Sequence, residues 1–219
     1  MQLFAPDPAT HLAKAEAILQ QIIARDPDVG GPYRLMGLVN YARRRADIAA
    51  QWFQREIDLN PSDANSYAQL GRTLAMRGRA AEGIKYILYA MRLSPRDPTM
   101  AAWLGMAGAA ELEQGHDHKA VAYLDRALSL HPSQPRNLLV SAAAHALSGN
   151  PGAARLRLEE ARKALPHLSS EKVVERYFGG PDAGQSERLR EGLRLAIAPA
   201  GDPPPPPLKA ATAPAPGIR

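Results

Sequence analysis

Cysteine is absent from all 219 residues, which excludes disulfides and thiolate metal sites and suits a cytoplasmic setting. No stretch approaches the roughly 18 unbroken apolar residues that span a bilayer. The opening MQLFAPDPATHLAK lacks the basic region and apolar run of a secretory signal. There is no glycine-rich phosphate loop, nucleophile elbow or HExxH pair, so neither an enzyme nor a cofactor is implied. Acidic residues are the minority: 22 Asp and Glu against 27 Lys and Arg leave a net charge of +5. Such a balance admits nucleic acid or acidic partners. Only Arg43, Arg44 and Arg45 form a compact basic cluster, at a turn and without interleaved aromatics, so nucleic acid is set aside.

What the chain does carry is a period. Pro27, Pro61, Pro95, Pro132 and Pro166 recur at steps of 34, 34, 37 and 34 residues, each closing a stretch with helical apolar spacing. Self-similarity at that step predicts stacked helix–turn–helix units, none of which can bury its own apolar face alone. The clearest unit runs from Ala64 to Pro95. Its first helix presents Tyr67, Leu70, Gly71 and Leu74; Gly78 breaks it; its second presents Gly83, Ile84, Ile87, Ala90 and Met91 until Pro95 stops it. Small residues hold the same two places in every unit: Gly37, Gly71, Gly108 and Ala142 on first helices, Ala49, Gly83, Ala120 and Ala154 on second helices. Side chains this small let helix axes cross closely. Larger neighbours (Tyr33, Tyr67 and Leu104, then Phe53, Ile87, Leu124 and Leu158) fill the space between.

With units ending in DLNPSD and RLSPRDP, the chain resembles tetratricopeptide repeat proteins over about residues 9–166. The expected fold is all-α: a right-handed superhelical solenoid of antiparallel helix pairs, with about four full repeats, a leading half-repeat and carboxyl-terminal capping helices. Two residues depart from the family pattern, Glu56 where alanine is preferred and Arg44 in place of the turn glycine found at Gly78, Gly115 and Gly149. Three extra residues between Pro95 and Gly108 are expected to lengthen one first helix by nearly a turn. The run NSYAQLGRTLAMRGRAAEGIKYILYAMRLSPRDP, with SERLREGLRLA downstream, is also similar to repeats behind bacterial adenylate/guanylate cyclase and winged-helix regulatory domains.

The complete pairs are expected over Pro32–Leu59, Ala64–Leu93, Pro98–Leu130 and Pro135–Leu165, with Asp97-Pro98 and Asn150-Pro151 opening helices as a cap followed by a first-turn proline. Residues 1–8 form a lead, and residues 9–25 read as a second helix without its first, which leaves an apolar flank uncovered. The lead folds over that flank, the chain continues upstream, or another subunit or domain covers it. Residues 167–199 hold two capping helices, Ser169–Phe178 and Ser186–Ala198, the latter amphipathic through Leu189, Leu193 and Ile197. Residues 200–219 are proline-rich and read as a disordered tail. A PxxPxK spacing within Pro204–Lys209 reads as linker, because such spacings arise freely in proline-rich tails.

His116-Asp117-His118 offers metal-ligand chemistry but lacks partners nearby, so it reads as a turn in which Asp117 caps the next helix. Gly105 and Gly108 serve helix packing. The resemblance implies instead a concave groove lined by first helices. Its positions here are Arg34, Leu38, Tyr41, Asn65, Ala68, Arg72 and Met76, then Ala109, Leu112, Glu113, Arg136, Leu139 and Ala143. The lining is mostly small and apolar, with a basic stripe of Arg34, Arg72 and Arg136. It suits a protein segment with apolar anchors and acidic groups. The lysine/asparagine set that clamps terminal carboxylates in some relatives is missing. The expected function is a non-catalytic protein-interaction scaffold; the alternative is a regulatory segment of a signalling protein carrying a cyclase or winged-helix domain.

Overall fold

The computed structural model describes residues 8–165 and 187–197, which form ten α-helices and no strand. They are α1 (Pro8–Arg25), α2 (Gly31–Ala42), α3 (Ala46–Leu59), α4 (Ala64–Met76), α5 (Ala80–Leu93), α6 (Met100–Glu113), α7 (Asp117–Leu130), α8 (Pro135–Leu147), α9 (Pro151–Ala164) and α10 (Glu187–Ile197). The pairs α2–α3, α4–α5, α6–α7 and α8–α9 are the predicted units, and each stacks on the next. The predicted helix Ser169–Phe178 and the tail 200–219 lie outside the described residues.

The small-residue positions are where the paired axes come closest. A methyl at Gly71 would meet the Gly83 carbonyl oxygen below 3.0 Å and Ile87 Cγ1 at 2.8 Å; one at Gly83 would meet Ala75 N at 3.0 Å. The alanines at the equivalent places (Ala49, Ala120, Ala142 and Ala154) are fully buried, and Phe53, Ile87 and Leu124 fill the remaining volume without exposure. The turns between paired helices need a left-handed residue, which Gly78, Gly115 and Gly149 supply at φ 76°, 78° and 82°. Arg44 adopts the same conformation, at φ 62°, and is the one non-glycine to do so among the described residues.

Two expectations are corrected. The extra residues before Gly108 do not extend α6 by a turn: Pro98 and Thr99 form a turn, and α6 begins at Met100 with 14 residues against 13 in α4. Asp97 holds that turn by accepting from the Thr99 backbone N–H at 2.8 Å, so the hydrogen-bonding capacity expected to open the helix is spent one step earlier. Asp117 does not cap α7; it is the first helical residue and pairs with Arg188 Nη2 at 2.6 Å. Asn150 does cap α9, accepting from the Ala153 N–H at 3.2 Å.

Glu56, the other departure from pattern, is buried on α3 against Gly30. Its carboxyl is raised above the usual range, first by burial and then by Asp63, while the Arg34 backbone N–H and charge and the Asn60 side chain pull the other way. At the amino end Leu19 of α1 packs with Met36 and Val39 of α2, while Ile18 and Ile22 remain exposed.

Candidate functional site: the concave groove

A helix turns about 100° per residue, so the residue after each buried crossing position points toward the first-helix face of the array. That rule carries Leu38, Arg72, Ala109 and Ala143 onto one surface, next to Gly37, Gly71, Gly108 and Ala142. The surface divides into an open half and a filled half.

The open half is a cavity of about 490 Å³ between α2, α4, α6 and α8, lined in part by Tyr41, Arg44, Arg72, Met106, Gln134 and Arg136. The Arg72 guanidinium lies 3.7 Å from the Tyr41 ring centroid, a cation–π stack. Its Nε is buried with no hydrogen-bond partner among the described residues, and Gln134 Oε1 nearby is in the same state. Burial pulls the Arg72 pKa down to about 10, the Arg136 charge adds to this, and Tyr41 opposes it. Arg72 is therefore cationic at neutral pH, with a second arginine beside it and no carboxylate among the described lining residues.

Arg34 does not join this site. Its Nε is 3.2 Å from Asp63 Oδ2, and Asp63 also caps α4 by accepting from the Asn65 N–H at 3.1 Å. The stripe of three arginines reduces to Arg72 and Arg136. Leu38, Asn65 and Met76 are half-buried, whereas Ala68 is fully buried beside Trp103 and Ala107 and faces no open groove.

The filled half is covered by α10. Leu112, Leu139 and Ala143, expected to meet a partner, are buried in one cluster with Leu189, Leu193 and Ala196. A methyl at Gly192 would lie 2.6 Å from the Ala143 carbonyl oxygen, so α10 crosses α8 at close range. Arg188 Nε donates to the Leu112 carbonyl at 2.8 Å, at the end of α6. Glu113, the last residue of α6, has its pKa pushed up to about 7 by burial, with Arg188 opposing. Ile197, assigned by spacing to the packed face of α10, is 48% exposed.

Sequence reasoning missed Gln134, Met106 and Gly105 as cavity lining. Gly105 was legible only as a packing glycine; it gives room to Asn137, whose Nδ2 donates to the Ala101 carbonyl at 3.3 Å. His116 Nδ1 lies 2.6 Å from Glu111 Oε2, and no group of three or more His, Asp or Glu is placed to hold a metal among the described residues.

No family model matches the chain. It is 26% identical over 177 residues to a peroxisomal targeting signal receptor of Candida glabrata, covering 77% of this chain and 29% of that protein, so it spans less than a third of that relative's length. Among solved structures it superposes on PilW, a widely conserved type IV pilus biogenesis factor, with a TM-score of 0.69 at 21% identity over 84% of both chains. PilF of Pseudomonas aeruginosa gives 0.65 at 16% identity, covering 86% of this chain and 88% of that one. YrrB, described as a TPR protein with an unusual peptide-binding site, gives 0.55 at 17% identity over 84% and 88%. The fold is that of a tetratricopeptide repeat (TPR) solenoid. Within the TPR array no described helix is long and apolar enough to cross a membrane.

Proposed function

We propose that this TPR array is a non-catalytic interaction scaffold that holds a partner protein segment in the open half of its concave groove. The observation that carries this reading is Arg72: a half-buried cation whose Nε is sealed without a hydrogen-bond partner among the described residues, facing a cavity whose described lining contains further arginine and no acid. A desolvated charge without a counter-ion is costly, and an incoming carboxylate relieves that cost by a charge-assisted hydrogen bond. Met106, Ala102 and Gly105 supply the apolar floor beside it. The segment that fits is one with apolar anchors flanking Asp or Glu. YrrB, a TPR protein with an unusual peptide-binding site, supports the general mode without specifying the ligand.

Panning a phage-displayed library of random short peptides against the full chain tests this. The wild type should enrich acidic sequences, and Arg72→Gln should weaken their binding about tenfold to hundredfold, the effect of one hydrogen bond to a charged group. The same substitution should leave folding stability unchanged to within about 1 kcal/mol, because the lost Tyr41 stack is offset by relief of the unsatisfied Nε. Equal recovery of acidic peptides by both proteins would refute the assignment.

A further inference from the structure

The helix that fills the other half of the groove does not sit where a further repeat would. Outside its own pair, each first helix in the array stacks chiefly on the second helix before it: α4 on α3, α6 on α5, α8 on α7. α10 instead lies chiefly on the first helix α8, touches α9 and α6 less, and thereby covers the concave face. A continuation of the stack would bury the α9 face; a bound segment would bury groove positions. α10 does the second.

Its chemistry matches a groove ligand as well. Leu189, Leu193 and Ala196 form one buried edge, and Gly192 lets the backbone settle onto Ala143. Arg188 reaches both an end-of-helix carbonyl, Leu112 O at 2.8 Å, and the Asp117 carboxylate at 2.6 Å. The Leu112 carbonyl already accepts from the Gly115 N–H at 3.0 Å, so Arg188 takes up its second lone pair. The remaining face of α10 is rich in Arg and Glu and ends in the exposed Ile197.

We propose that the carboxyl half of the groove is a receptor for an amphipathic helix with a small residue between two buried apolar positions, and that α10 is its resident occupant, exchangeable for such a helix on a partner. The inference rests on the concave face being the binding surface, and it adds a second partner element, helical and apolar, to the acidic one assigned to the open half.

The test uses the full chain carrying Leu189→Asp with Leu193→Asp, which unseats α10, and a labelled peptide of residues 187–197 supplied in trans. Fluorescence anisotropy should show the peptide binding this variant at least about tenfold more tightly than the wild type, whose site is already taken. A peptide carrying Gly192→Leu should lose at least about tenfold in affinity. No binding to the variant at peptide concentrations up to about 1 mM, or equal binding to both proteins, overturns the proposal. Should the variant fail to fold, hydrogen exchange on the wild type decides. Amides of 187–197 should open separately while those of 135–147 stay protected, and a shared opening event would show α10 to be a permanent part of the array. Loss of the trans peptide with acidic library peptides still bound would sink this inference and leave the open-half reading standing; the reverse pattern would do the opposite.

Discussion

Replacing Gly71 by alanine adds one methyl at the tightest crossing in the array, and its effect can be worked from the contacts. The new carbon would lie under 3.0 Å from the Gly83 carbonyl oxygen, 2.8 Å from Ile87 Cγ1 and 3.1 Å from the Ile87 nitrogen. Two of these three neighbours are backbone atoms of α5, so no rotamer change can clear them. The helices must separate by a few tenths of an ångström, loosening Leu70, Leu74, Ile84 and Ile87, which are all buried. Overpacking of this kind costs about 1–3 kcal/mol, while alanine gains about 1 kcal/mol over glycine in a helix. The net expectation is a loss of about 1 kcal/mol for Gly71→Ala and about 3 kcal/mol for Gly71→Leu. Gly152→Ala is the matched control. Its methyl would meet only Asn150 Oδ1 at 3.9 Å, so it should be neutral or stabilising by up to about 1 kcal/mol. Urea denaturation followed by far-UV circular dichroism reads both. Should Gly71→Ala raise the midpoint as Gly152→Ala does, the close crossing assigned to α4 and α5 is wrong.

Other outcomes follow from single residues. Arg44→Gly should raise stability by about 1 kcal/mol, because only glycine adopts φ 62° without a side-chain penalty; an unchanged or lowered melting temperature would contradict this. Glu113 keeps its proton in the folded chain up to about pH 7, while an ordinary glutamate loses it near 4.5. Both states are protonated below 4.5; between 4.5 and 7 the unfolded chain ionises first, so this group makes stability fall as pH rises through that window and level off above it. Glu113→Gln should remove that slope, gaining at most about 3 kcal/mol at pH 8 and nothing at pH 4. Thermal melts of both proteins at the two pH values check it, and a gain of equal size at both would show the cause to be packing rather than charge.

The parts of this fold that could be read from the residues are those set by local rules. The crossing positions at Gly71 and Gly83, the turns at Gly78, Gly115 and Gly149, and the special status of Arg44 follow from steric constraints that act on one residue or one pair. What escaped was set by competition among distant groups. Arg34 sits in the right register for the groove, but Asp63, held by its capping role, draws it away. Pro98 and Thr99 could have extended α6; the Asp97 side chain committed them to a turn instead. The face pattern of α10 is visible in Leu189 and Leu193, yet periodicity states only that one side is buried and not against what. Arg72 was placed in the groove by register, while its missing counter-ion could be seen only once α2, α4, α6 and α8 were assembled around it.

Among the described residues the four apolar clusters are unequal in size, and that has a consequence for how the array comes apart. The cluster at the amino end has only Leu19, Met36 and Val39 fully inside, with Trp52 leaning against it, whereas the one at the far end knits α6 to α10 and Trp103 lies sealed in the middle. Because every unit relies on its neighbour alone, melting in such a row works like a zip with one weak tooth: it starts at the thin end and runs inward. The two indoles then mark the start and the midpoint of that journey, Trp52 meeting water while Trp103 is still dry.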